Sequence, residues 1–256
     1  MEEIEFFEEI FCPGCFIAIG KKYKMNKLQD ETGTAYQCKH CKHHYIDKAL
    51  KRHLDELKRG REVMEKTTRM ATYYNKIKMM IIDQGYENEI MWVNNIPNPV
   101  DKDLFFKEYS WVVINSGMKN KVAEMIYKKF WNNNTPDFST INHPNKNKSM
   151  KEVYTRLDFY FLHFMKSKNK LMFLKSLPHI GDITKYHLAR NLGLNYAKPD
   201  RHLVRISSLF TYPNIQEFCK KLSNLTGDPI GIVDLVLWRF ATLYPNYLEL
   251  IKKEID

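Results

Sequence analysis

No stretch of the 256-residue chain holds eighteen consecutive apolar residues, so the sequence offers no membrane-spanning helix. It opens with "MEEIEFFEEI", acidic where a secretory leader has a basic start and then an apolar run. The expectation is a soluble intracellular protein, cytoplasmic or nucleoid-associated. The ten glycines form no glycine-rich phosphate loop, and neither an internal repeat nor a heptad run is present. These absences argue against a P-loop, a solenoid and a coiled coil. Acidic residues are also in short supply: thirty Asp and Glu face forty Lys and Arg, a formal net charge of +10. Such an excess favours nucleic acid or another anionic surface as partner, although a merely soluble basic protein carries the same balance.

Cysteine is sparse but patterned. Four of the five cysteines form two C-x-x-C pairs, Cys12 with Cys15 and Cys38 with Cys41, with twenty-two residues between the pairs. Two residues between thiolates let one tight turn aim both sulfurs at a single ion, and a second turn completes a tetrahedral sulfur site. Without a leader, metal is a better reading than disulfides. The expectation is a structural Zn2+, with His40, His43 or His44 as substitutes for one cysteine. The fifth, Cys219, reads as an inert core thiol on a helix.

Along the chain, residues 1–46 read as a small zinc-ribbon-like module with strand-like pieces at Phe16 to Ala18 and Thr34 to Gln37. Residues 47–84 read as a connecting helical segment, and "GYENEIMWVNNIPNPVD", with Gly85, Pro97 and Pro99, as a connector. From Lys102 the apolar spacing is helical, so the fold class is mainly α. "WNNNTPDFSTINHPNKNKSM" reads as a solvated loop. Further helices are predicted at 150–166, 168–176, 182–192, 200–209, 214–225 and 230–242.

Residues 177–206, "LPHIGDITKYHLARNLGLNYAKPDRHLVRI", carry the sharpest signal. Leu177 and Ile180 anchor a short turn, Pro178 restricts it, and Gly181 is predicted to take a conformation closed to other residues. A helix restarting at Asp182 would leave turn amides free for an anion. This stretch resembles the helix-hairpin-helix of the endonuclease III superfamily of DNA glycosylases, whose hairpin has the form L-P-G-[IV]-G. Nineteen residues beyond Gly181, "KPDRHLVRI" resembles that family's V-D-T-H-V-x-R segment, with Asp200, His202 and Arg205 on its aspartate, histidine and arginine. Two departures stand out. His179 replaces a hairpin glycine, and the cysteines precede the helical region, so no iron-sulfur cluster is expected.

The resemblance implies a two-lobed glycosylase domain over residues 85–256. It makes Asp200 catalytic, since a carboxylate near the sugar stabilises an oxocarbenium-like transition state and orients water. It implies DNA-backbone contacts from Pro178, His179, Gly181, Ile183, Thr184 and Lys185. It also nominates Tyr109, Trp111, Asn115, Ser116 and Met118, in "EYSWVVINSGM", as the pocket for an extruded base. Members that nick DNA carry a lysine where this chain has Ile183, and Lys185 falls about 200° further round a helix. The implied enzyme is a monofunctional, monomeric hydrolase acting on a damaged or modified base in double-stranded DNA. Base excision repair and defence against DNA with modified bases are both roles for such an enzyme. Two rival readings accompany it: a non-catalytic zinc-containing DNA-binding protein in which Asp200 only caps a helix, and a zinc-containing RNA-binding or transcription-associated module.

Overall fold

A computed structural model describes residues 12, 24–30, 33–97, 100–212 and 214–256 of the chain, which is mainly helical. It divides into two compact units, residues 1–65 and 66–256. Among the described residues no helix is long and apolar enough to cross a membrane.

In the smaller unit three antiparallel strands, β1 (Met25–Asp30), β2 (Gly33–Cys38) and β3 (His44–Ile46), form one sheet in that order. The predicted strand at 34–37 lies within β2, whereas 16–18 falls outside the described residues. Register sets Met25 opposite Cys38, and the partly buried Met25 packs on the buried Cys12 and Cys38. The sheet leads directly into helix α1 (Asp47–Ile81).

The second half of α1 is not a connector. Met70, Tyr73, Tyr74, Ile77 and Ile81 recur at helical spacing and are buried in the core of the larger unit. Tyr74 donates its hydroxyl to Asp228 at 2.7 Å, and Lys78 pairs with the same carboxylate. The predicted connector beyond it also contains a helix. Gly85 kinks the chain at a φ of 87°, and α2 (Glu87–Asn94) then restarts with two acids in its first turn.

Two apolar clusters build the larger unit. The first gathers the end of α1 with α9 (Arg201–Ser207), α10 (Ile215–Thr226), α11 (Ile230–Leu243) and α12 (Tyr247–Ile255). Helix α11, "IGIVDLVLWRFATL", is apolar almost all round and is buried accordingly. The second cluster gathers α3 (Lys102–Asn115), α4 (Asn120–Phe130), α5 (Pro144–Thr155), α6 (Leu157–Lys166), α7 (Lys170–Ser176) and α8 (Thr184–Asn191). Phe105, Phe106, Tyr109, Val112 and Val113 of α3 lie at its heart.

The region expected to be a loop is more ordered than that. It holds a small ribbon, β4 (Trp131–Asn132) and β5 (Thr135–Pro136), turned through Asn133 and Asn134 with positive φ. Helix α5 begins at Pro144, capped by His143, which is the start signal that a reading centred on apolar spacing passed over. The predicted 150–166 helix is broken at Arg156 into α5 and α6.

Candidate functional site

Helices α7 and α8 are joined by the predicted turn, and its geometry corrects the expectation for Gly181. The amide of Ile180 donates to the Leu177 carbonyl at 3.1 Å, closing a turn with Pro178 second and His179 third. His179 takes φ 65°, the left-handed conformation that type II turns demand at that position. A histidine therefore stands where glycine is cheapest. Gly181 itself is not left-handed, and an added Cβ there would meet only Thr184 Oγ1, at 3.9 Å.

The turn amides are also used differently from the expectation. Gly181 N–H donates to Thr184 Oγ1 at 2.7 Å, and Ile180 N–H is spent within the turn. The amides of Asp182, Ile183 and Thr184, at the start of α8, have no hydrogen-bond partner among the described residues. Asp182 pairs with Lys175 and Lys185, which hold its carboxyl down at about 2. Tyr109 braces the turn from beneath, donating its hydroxyl to the Pro178 carbonyl at 2.8 Å. It is fully buried, so this pocket candidate belongs to the core.

Asp200 is the N-cap of α9. Its Oδ1 accepts the amides of His202 at 2.9 Å and Leu203 at 3.0 Å, while Oδ2 has no hydrogen-bond partner among the described residues. The helix begins at Arg201, and Pro199 immediately precedes the cap. His202 is turned to Tyr247, 3.2 Å from its hydroxyl, and Arg205 is exposed.

Asp200 lines a cavity of about 450 Å³ whose walls come from both apolar clusters. Each contributing helix turns one face to it. Glu108, Trp111 and Asn115 come from α3, spaced three and four apart, and Asn120, Glu124 and Tyr127 from α4. His187, Arg190 and Asn191 of α8 line it with Lys198 beside the cap. Trp92 of α2 and Trp238 and Arg239 of α11 complete an aromatic wall. Arg239 lies over the Tyr86 and Trp238 rings, at 4.3 and 4.7 Å, and is paired with Glu89. Trp111 meets Tyr127 edge to face at 5.4 Å.

Beside the cavity runs a continuous polar chain. Asn191 Nδ2 donates to Glu108 Oε2 at 2.8 Å, and Asn191 Oδ1 lies 3.4 Å from the Arg190 guanidinium. Arg190 pairs with Asp234 Oδ2 at 2.8 Å, and the same oxygen accepts the amide of Lys198 at 3.0 Å. Asp234 therefore ties α8 and the segment that carries Asp200 to α11. Its Oδ1 is buried without a partner among the described residues.

Burial dominates the titration of these groups. It pushes the Glu108 carboxyl up to about 7, against the Asn191 hydrogen bond and the Arg190 charge. It raises Asp234 as well, with Arg190 and the Lys198 amide opposing and the Asp200 charge adding. Burial, then Lys198 and Arg190, hold His187 far below the ordinary imidazole range. Burial and Arg190 lower Lys198. Groups whose titration is shifted from the ordinary range thus gather at and beside the cavity, as they do at many reactive sites.

Of the predicted pocket residues, Trp111 and Asn115 share the cavity with Asp200. Met118 lines a separate cavity of about 320 Å³ with His143 and Lys146. Ser116 donates its hydroxyl to Val113, and its carbonyl is capped by buried Lys146 at 2.6 Å. Ile183 is exposed on the turn, and Lys185 pairs with Asp182. Glu108, Arg190, Asn191, Lys198 and Asp234 were not predicted. A visible signal was available for two of them: Glu108 and Asp234 are lone acids inside the apolar runs "FFKEYSWVV" and "IGIVDLVLW".

In the smaller unit, the sulfurs of Cys12, Cys38 and Cys41 lie within 4.8 Å of one another and can bind a metal. Cys12 and Cys41 are 3.6 Å apart, close to the roughly 3.8 Å edge of a tetrahedron with Zn–S bonds of about 2.3 Å. The amides of His40 and Cys41 each donate to Cys38 Sγ at 3.4 Å, and Lys42 closes the knuckle at φ 60°. Burial opposes ionisation of Cys38, but these amides and the Cys12 and Cys41 thiols bring it down to about 7. The donor set suits a soft divalent ion. Cys15 lies outside the described residues. No protein-family model, curated protein or solved structure matches the chain.

Proposed function

We propose that the chain is a monofunctional DNA glycosylase that extrudes a damaged or modified base from duplex DNA and hydrolyses its N-glycosidic bond. The observation that carries this reading is Asp200: nineteen residues past the turn, it lines the cavity with Oδ2 unbonded. Its two roles are compatible, because the cap uses only Oδ1. The cap fixes the side chain, and the second oxygen is left to face positive charge developing on the sugar and to orient a water.

The remaining parts take roles around it. The two apolar clusters serve as two lobes, with the aromatic-walled cavity between them receiving the base. A cavity of this volume lies in the range of small-molecule sites, about 300–1,000 Å³. The free amides of Asp182, Ile183 and Thr184 address a backbone phosphate, with the Lys and Arg excess supplying non-specific attraction. Cys12, Cys38 and Cys41, with Cys15, hold a structural Zn2+ that leaves no open position for chemistry. Water is the nucleophile, since Ile183 has no amine to offer. Among the described residues Lys198 is the one lysine along the cavity wall, and borohydride trapping lost in Lys198→Met would put that amine in the place of water.

A second reading has its own observation. Two amides on Oδ1 make Asp200 a complete N-cap, so a DNA-binding protein without catalysis needs nothing more from it. Incubation with duplexes carrying alkylated purines, deaminated or mismatched pyrimidines and bulky modified bases separates the two. The glycosylase releases a base identifiable by mass and leaves an abasic site. Retention of every base with tight duplex binding supports the second reading. The base released also decides between repair and defence against modified DNA.

A further inference from the structure

Glu108 has no part in the mechanism above, yet its buried carboxyl lines the cavity. It is 9 % exposed on α3, inside an apolar run where a charged residue serves no packing purpose. One oxygen, Oε2, is held by Asn191, and Oε1 has no hydrogen-bond partner among the described residues. Trp111 and Asn115 extend from the same helical face and line the same cavity. We infer that Glu108 presents its carboxyl to a hydrogen-bond acceptor on the extruded base and protonates it as the glycosidic bond breaks, so the substrates are uncharged bases whose departure needs a proton. This inference rests on the glycosylase reading of the cavity.

The surroundings suit a proton donor. From α8, Arg190 and the uncharged His187 face the cavity; from α4, Glu124 and Tyr127; and from the cap segment, Lys198 and Asp200. Arg190, whose charge acts on Glu108, is engaged by Asp234, and no ion pair joins it to Glu108 among the described residues. Helices α5 and α6 also pack on α3, but no titratable side chain of theirs is among the cavity residues. Burial that lifts Glu108 to about 7 leaves it partly protonated at neutral pH, the condition for an efficient general acid.

The step balances. The bond from C1′ to the base nitrogen breaks with its electron pair going to the base, and the Glu108 proton moves to the base's acceptor atom. Water oxygen bonds to C1′, the water proton passes to solvent, and Glu108 takes up a proton before the next cycle. A purine made cationic by N-alkylation leaves as a neutral base and gains nothing from this acid. An uncharged base, such as a deaminated or C5-substituted pyrimidine or hypoxanthine, otherwise departs as an anion.

Single-turnover release from duplexes containing uracil, hypoxanthine or N7-methylguanine, followed against pH in the full chain, tests the inference. Wild type is expected to release an uncharged base with a rate that falls above pH about 7. Glu108→Gln should lower that rate by about 100-fold or more and abolish the pH limb, with duplex binding unchanged. Asn191→Leu keeps the acid but removes the hydrogen bond that lowers it, so the limb should move to higher pH. Equal rates in wild type and Glu108→Gln, a limb unmoved in Asn191→Leu, or release of N7-methylguanine alone would overturn the inference while leaving the glycosylase standing. No release of any base by wild type would remove the glycosylase reading itself.

Discussion

The two compact units hold themselves together by different means. Among the described residues of the smaller one, apolar burial amounts to Tyr36 and to Met25 resting on two cysteines. The larger unit buries two extended clusters of aliphatic and aromatic side chains. Zinc bound at Cys12, Cys38 and Cys41 would supply the smaller unit with folding free energy of the kind that apolar burial supplies to the helical unit. The polar groups of the larger unit are correspondingly an expense, tolerated where the site needs them.

That contrast can be tested from both sides. The largest effect is expected from Asp234→Ala, which strands the Arg190 guanidinium in a buried setting and frees the Lys198 amide. Loss of one partner of a buried pair costs about 3–5 kcal/mol. Chemical denaturation should register that loss in the helical unit, with bound metal per chain unchanged. A loss below about 1 kcal/mol would mean that the polar chain is ornamental to stability. Chelation is the converse experiment. Elemental analysis should find one zinc per chain, and its removal should erase backbone protection over β1 to β3 while α3 to α12 keep theirs in hydrogen exchange. Protein purified without chelators and free of metal would break the comparison.

A smaller effect tests the proposed DNA contact of the larger unit. Gly181→Glu fits without backbone strain, since the position is not left-handed and only Thr184 Oγ1 lies near an added Cβ. It sets a negative charge beside the Asp182 to Thr184 amides. Duplex affinity should fall by about tenfold, about 1.4 kcal/mol, with a shallower salt dependence. Unchanged affinity would shift the DNA grip away from the turn. The smallest effect concerns the turn itself. His179→Gly removes a side chain from a left-handed position and should raise stability by about 1 kcal/mol. A loss of stability would show that the contact with the His143 ring, 6.2 Å away, outweighs the backbone term.

These regions also differ in how far the sequence discloses them. The Cys38–Cys41 knuckle and the turn at 177–181 are local: a handful of residues sets each backbone path, and their spacing can be read directly. The mainly helical class and most helices from Lys102 onward follow from apolar periodicity in the same way. What periodicity missed are start and stop signals at His143 and Arg156, and the kink at Gly85 that lets α2 form. The cavity is another matter, because it takes residues from α2, α3, α4, α8, α11 and the cap segment. Only Asp200, Trp111 and Asn115 of its lining were named from the sequence. Arg190 and Lys198 look like ordinary surface cations until the fold sets them beside Asp234. Tyr109 shows the opposite error, since an aromatic next to a predicted pocket proved to be core.

One carboxylate carries the proposed chemistry, and Asp200→Asn tests it most directly. The amide keeps an oxygen for the His202 and Leu203 N–H groups, so folding and duplex binding should stay close to wild type. What it loses is the negative charge on the side of the cavity. Single-turnover release of whichever base wild type excises is expected to fall by about 100-fold or more. Full activity in Asp200→Asn, with normal binding, would contradict the mechanism and leave Asp200 a helix cap alone.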